Sequence, residues 1–214
     1  MERRMREVEF REYQWQHRYD EHIASINELV DELLKSGLGV PYVAPMYGGV
    51  NARLLSVLRD PGPKTQDGKG SGFLCMENDD VTAENIKKLF ADVKIEAEDI
   101  VPWNAYPWYI NSAPNAAQLD DGVDPLKCVI DLLPKLRVVM VHGGSAHNGW
   151  DRLTRKYPEI VAARGLCVIK TYHTSNQAFR HSDPRVRQDR EEHLRRSFDD
   201  AANCLQNSKL VLLA

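Results

Sequence analysis

The stretch Leu54-Leu-Ser-Val-Leu-Arg-Asp-Pro-Gly-Pro-Lys-Thr65 runs from apolar residues straight into proline and glycine. A short apolar run closed by turn chemistry reads as a strand buried on both faces, and Pro61 and Gly62 stop it. Asp60 is thereby set at the mouth of a sheet. Two other apolar runs end the same way: Ile100-Val-Pro-Trp-Asn104 before Ala-Tyr-Pro, and Leu166-Cys-Val-Ile-Lys-Thr-Tyr-His173 before Thr-Ser-Asn176. Ligands of open α/β sheets bind beyond the carboxyl ends of the strands, so an Asp, an Asn and a His are expected to converge on one site.

Working outward, the expected strands are Arg53 to Leu58, Asp99 to Trp103, Arg137 to His142 and Leu166 to Tyr172. Helical spacing intervenes each time. Ile23, Ile26, Leu29, Val30, Leu33 and Leu34 form one helical face, stopped by Gly37 and Gly39, and the segment Gly39 to Asn51 reads as a loop. Thr82 is placed to cap a helix containing Ile86, Leu89, Phe90 and Val93; a further helix lies near Leu126 to Leu133, and another begins at Gly143-Gly144-Ser145. A last helix carries Leu194, Phe198, Ala201, Ala202 and Leu205, and the chain ends in Leu210-Val-Leu-Leu213. Continuously apolar strands alternating with helices predict an α/β fold, a three-layer α/β/α sandwich around a central four-stranded parallel sheet. Residues 1–214 read as one domain, with 1–50 a helical extension at the N-terminus.

Composition narrows the function classes. With 43% hydrophobic and 28% charged residues in 214, the chain suits one soluble domain with a sizeable core. No stretch approaches a membrane span and Met1-Glu-Arg-Arg-Met-Arg-Glu lacks a secretory apolar core, so a cytoplasmic protein is expected. A formal net charge of −3 argues against coating nucleic acid by bulk positive charge. The arginines from Arg180 to Arg196 are interleaved with Asp and Glu, which suits a solvated helix face as well as a phosphate-contacting one. Cys75, Cys128, Cys167 and Cys204 are widely spaced and read as buried free thiols. His142, His147 and His181 have no metal-ligand spacing.

Taken singly, each strand-end residue has a bland reading: Asp60-Pro-Gly is a common turn, Asn104 precedes another, and His173 suits a structural histidine. Their joint order is more specific. Asp60, Asn104, the Gly143-Gly144-Ser145 turn and His173 end four successive strands, and this arrangement resembles the uracil-DNA glycosylase superfamily. Arg59-Asp-Pro-Gly-Pro63 looks like a hybrid of that family's Gly-Gln-Asp-Pro-Tyr-His and Gly-Glu-Ala-Pro-Gly motifs. His173-Thr-Ser-Asn176 is similar to its His-Pro-Ser-Pro. Phe73, thirteen residues after Asp60, falls at the spacing of the aromatic that stacks on the base.

The resemblance implies a monomeric enzyme that flips uracil from DNA and hydrolyses its glycosidic bond without a metal or other cofactor. Asp60 would face the oxocarbenium-like sugar and orient or deprotonate a water, while His173 would donate a hydrogen bond to the departing uracil O2. Asn104 would read uracil N3–H and O4, and Phe73 would stack on the ring. Pro61, Pro63, Gly144, Ser145, Ser175, Gln177, Phe179 and Arg180 would face DNA. Gly62 stands where the strictest members place a tyrosine that excludes the thymine methyl, so 5-substituted pyrimidines are expected to enter. Gln177 sits where an apolar wedge is usual, leaving Phe179 or Arg180 for that role. Two rivals are a relative that binds nucleic acid without cleaving it, and a small-molecule nucleotide enzyme. The second is weakened by the lack of Gly-x-Gly-x-x-Gly and of a phosphate-binding Gly-x-x-x-x-Gly-Lys motif.

Overall fold

A computed structural model describes residues 3–211. The four apolar runs form strands β2 (Leu54–Leu58), β4 (Ile100–Asn104), β5 (Val138–His142) and β6 (Cys167–Thr171), all parallel, in the order β4-β2-β5-β6. β2 is central, with Leu54 opposite Ile100 on one side and Val138 on the other. Its Leu54, Leu55 and Val57 have no solvent exposure. That is why the run carries no polar alternation: both faces of the strand lie under helices. The result is the expected three-layer α/β/α arrangement.

The helices are α1 (Val8–Gln16), α2 (Ala24–Leu34), α3 (Val81–Asp92), α4 (Ala116–Asp121), α5 (Val123–Asp131), α6 (Gly144–Lys156), α7 (Ile160–Arg164) and α8 (Pro184–Val211). The cap of α3 corrects the expected Thr82. Asp80 is the N-cap, its carboxylate accepting from the Ala83 amide at 2.9 Å, because an N-cap oxygen reaches the amide three residues on. The segment from Gly39 to Asn51 is also more than a loop. It holds β1 (Tyr42–Val43), which pairs in parallel with β3 (Phe73–Leu74) in a second small sheet, elements too short to leave a periodic signal. Residues 1–50 are not peripheral to the packing, since Met5, Ile23, Ile26, Val30 and Val43 join the main hydrophobic core. The apolar tail from Leu212 lies outside the described residues.

Of the four cysteines expected as buried free thiols, only Cys75 is one. Cys167 at the start of β6 and Cys204 on α8 form a disulfide across 37 residues of sequence, Cys75 is a buried thiol, and Cys128 is an exposed one. Sequence spacing carries no information on this pairing, because α8 returns to pack along β6. Among the described residues no helix is long and apolar enough to cross a membrane.

Candidate active site

Backbone hydrogen bonds continue past the strand ends and fix the loops that carry the polar residues. Beyond β2 and β4, the Ala105 and Tyr106 amides donate to the Leu58 and Arg59 carbonyls at 2.8 and 3.0 Å, which sets Asp60 beside Asn104. Beyond β5 and β6, the Gly143 amide donates to Thr171 O at 2.8 Å. Gly143 has φ +85°, and a Cβ there would stand 3.1 Å from the His173 Cβ. Only glycine meets both the left-handed backbone and the close approach. The His147 ring Nε2 lies 3.0 Å from Val141 O and 2.9 Å from Thr171 O, buttressing the turn. From the other side, Asn85 on α3 donates to Thr174 O at 2.7 Å and holds the His173 loop.

These loops enclose a cavity of about 770 Å³ over the carboxyl edge of the sheet. Asp60, Pro61, Gly62, Pro63, Asn104, Gly144, Ser145, His173, Ser175 and Gln177 all line it. Three expected residues do not. Phe73 is wholly buried on β3, packed against Trp15 at 4.8 Å and Tyr42 at 6.3 Å, and forms no part of the cavity wall. A motif spacing counts residues along the chain, but here the residue at that count pairs into the small sheet and faces the core. Phe179 and Arg180 border a separate groove of about 670 Å³, and Phe179 is partly packed on the core.

The electrostatics single out Asp60. Its side chain is 2% exposed, its Oδ1 accepts from Arg59 Nε, and its Oδ2 has no hydrogen-bond partner. Burial pushes the carboxyl above its ordinary range, opposed by the Arg59 guanidinium. His173 is pushed down to about 4, first by burial and then by the Arg59 charge. The Ser175 amide donates to His173 Nδ1 at 3.1 Å. In the neutral ring the proton therefore sits on Nε2, which is left as a donor. Below it, the fully buried His142 meets Ser56 Oγ at 3.1 Å through Nε2 and is pushed down to about 3 by burial, then by His173 and His147.

Asn104 is 3% exposed and its Oδ1 is also unpartnered. Orphaned polar atoms are rare in folded proteins because each forfeits its hydration without compensation. Several among the residues of one cavity wall, these two included, mark a place built for a polar ligand. Gly62 has φ −79° and no atom within 4 Å of where a Cβ would stand, so that corner of the cavity is open.

Neither a protein-family model nor a curated protein matches this sequence. The functional reading therefore rests on the cavity. Within it, reasoning from sequence missed Arg59, whose charge bears on both Asp60 and His173, and Asn78, a buried side chain in the wall. Arg59 was legible as a charge beside Asp60. Asn78 sits in Glu77-Asn-Asp-Asp80, a polar run that ends none of the four long strands and so carried no signal of a site.

Proposed function

We propose that this protein is a DNA repair glycosylase that flips uracil out of DNA and hydrolyses its N-glycosidic bond. The observation that carries the reading is the buried, half-satisfied carboxylate of Asp60 sharing a cavity with the neutral His173 and the unpartnered Asn104 amide. Departure of uracil builds positive charge on the sugar and negative charge on the base. Asp60 Oδ2 is free to accept from an attacking water and to face the cation. His173 Nε2–H can donate to the uracil O2 anion as a neutral hydrogen-bond donor, without a prior protonation. Asn104 Oδ1 is free to accept from N3–H while its amide N–H donates to O4.

The sugar–base bond cannot be reached inside a duplex, so the substrate nucleotide must leave the stack to enter the cavity. The Gly143-Gly144-Ser145 turn opens α6 and offers backbone amides to a flanking phosphate. Uracil follows from the donor and acceptor pattern at Asn104, which cytosine would present reversed. We place the protein in the cytoplasm as a monomer. In that reducing setting the Cys167–Cys204 pair would be under pressure to open, so its redox state in cells reports on the placement.

The test is incubation of the protein, with EDTA present, with labelled oligonucleotides carrying uracil, hypoxanthine or thymine opposite guanine, followed by alkali. Strand scission at uracil is expected. Scission at none of the three would overturn the reading and favour a binder that does not cleave.

A further inference from the structure

Three buried polar atoms of the lining residues are left over by that chemistry, Asn78 Oδ1, Trp103 Nε1 and His142 Nδ1, and of these only the Asn78 oxygen is purely an acceptor. Asn78 is 2% exposed, and its Nδ2 donates to the Phe73 carbonyl at 2.8 Å. This bond fixes the amide's orientation, because a reversed side chain would set two carbonyl oxygens against each other. Its Oδ1 is left as an acceptor with no partner. Among the described lining residues the side-chain oxygens without a partner are thus Asp60 Oδ2, Asn104 Oδ1 and Asn78 Oδ1.

Uracil joined to a sugar has a single N–H donor, at N3. On the glycosylase reading, on which this inference rests, Asn104 takes that donor and Asp60 takes the water. Nothing on uracil answers Asn78. A neutral amide oxygen buried without a partner costs free energy unless a ligand supplies a donor. We infer that Asn78 is a second specificity-determining residue, and that the preferred base carries a hydrogen-bond donor beyond N3–H, as an added O–H or a second N–H. The open space at Gly62 leaves room for the larger base this requires.

The experiment measures equilibrium binding by fluorescence anisotropy, with the full chain and oligonucleotides whose target nucleotide is a 2′-fluoroarabino analogue. The electron-withdrawing fluorine opposes the oxocarbenium and so keeps the bond intact. Two matched pairs separate the donor from the shape. 5-Hydroxyuracil against 5-fluorouracil tests an O–H, and xanthine against hypoxanthine, read in acid where xanthine keeps both ring protons, tests a second N–H. The donor-bearing member of at least one pair should bind about tenfold tighter, the order of one neutral hydrogen bond to a buried group. Asn78→Ala should bring that ratio to about one.

Ratios near one in both pairs for the wild type overturn the inference, as does a ratio that survives in Asn78→Ala. Because the variant also loses the bond to Phe73, its fold is checked by circular dichroism. Should it not fold, the wild-type ratios decide alone. A wild type that binds the uracil oligonucleotide no better than a cytosine control refutes the uracil reading separately, since the paired ratios do not depend on that comparison.

Discussion

Replacing Asp60 by Asn should separate catalysis from stability, in opposite directions. The carboxylate is nearly sealed from solvent, so its charge is weakly screened. At about 4 Å from a full positive charge and an effective dielectric of about 20, the interaction is about 4 kcal/mol. A transition state that carries most of that charge loses most of it in the neutral Asn, which predicts a fall in single-turnover rate of roughly 10²–10³-fold. Stability should move the other way. The folded pKa of Asp60 is raised, so the native state prefers the proton, and stability present below the ordinary carboxylate pKa is lost as pH rises through the raised one. At neutral pH the wild type therefore bears the cost of a buried charge that Asn lacks, and Asp60→Asn should melt above wild type with the gap closing in acid. The assay pairs single-turnover cleavage of a uracil oligonucleotide with thermal melts from acid to neutral pH. A folded variant within tenfold of the wild-type rate refutes the catalytic role. A variant that melts lower at neutral pH refutes the burial argument.

Further outcomes at His173, Asn104 and Gly62 follow from the same geometry. His173 stays neutral well below physiological pH, so the pH–rate profile should show no ionisation near the ordinary histidine value, and a limb there that vanishes in His173→Gln contradicts the donor assignment. The same Gln variant, still a neutral donor, should retain more activity than His173→Ala. Asn104→Asp should lose uracil cleavage and gain activity on cytosine, whose N4 amine donates where uracil O4 accepted; unchanged uracil activity with no gain on cytosine removes Asn104 as the reader. At Gly62 the ordinary φ and the empty surroundings admit a side chain, so Gly62→Tyr should fold and lower the cleavage ratio of 5-hydroxymethyluracil to uracil. An unchanged ratio in an active variant would assign closure of that side to another residue, with Trp103 or Tyr47 in the wall the first to test.

The sequence by itself determined the sheet. The runs ending in Asp60, Asn104, His142 and His173 are dominated by apolar residues, most completely buried in the central strands and interrupted by the exposed Lys170 in the edge strand β6, and they stop at proline, glycine or polar turns, a pattern that is local and readable. Parallel pairing then brings the four ends to one edge, so the convergence of Asp60, Asn104, Gly144, Ser145 and His173 was legible before any contact was known. Tertiary structure alone decided which side chains at that edge face the cavity. Phe73 sits at a plausible chain distance from Asp60, but its direction is set by pairing with Tyr42 and packing on Trp15, residues from the N-terminal segment. The Asn78 orientation is fixed by one carbonyl on β3, and the Cys167–Cys204 pairing by the return of α8 along β6. Each of these depends on neighbours distant in sequence, whereas strand and turn signals are carried by consecutive residues. For the same reason, the protonation of Asp60 and His173 is a property of the folded cavity, since their burial and the approach of the Arg59 charge to His173 exist only once the chain has folded.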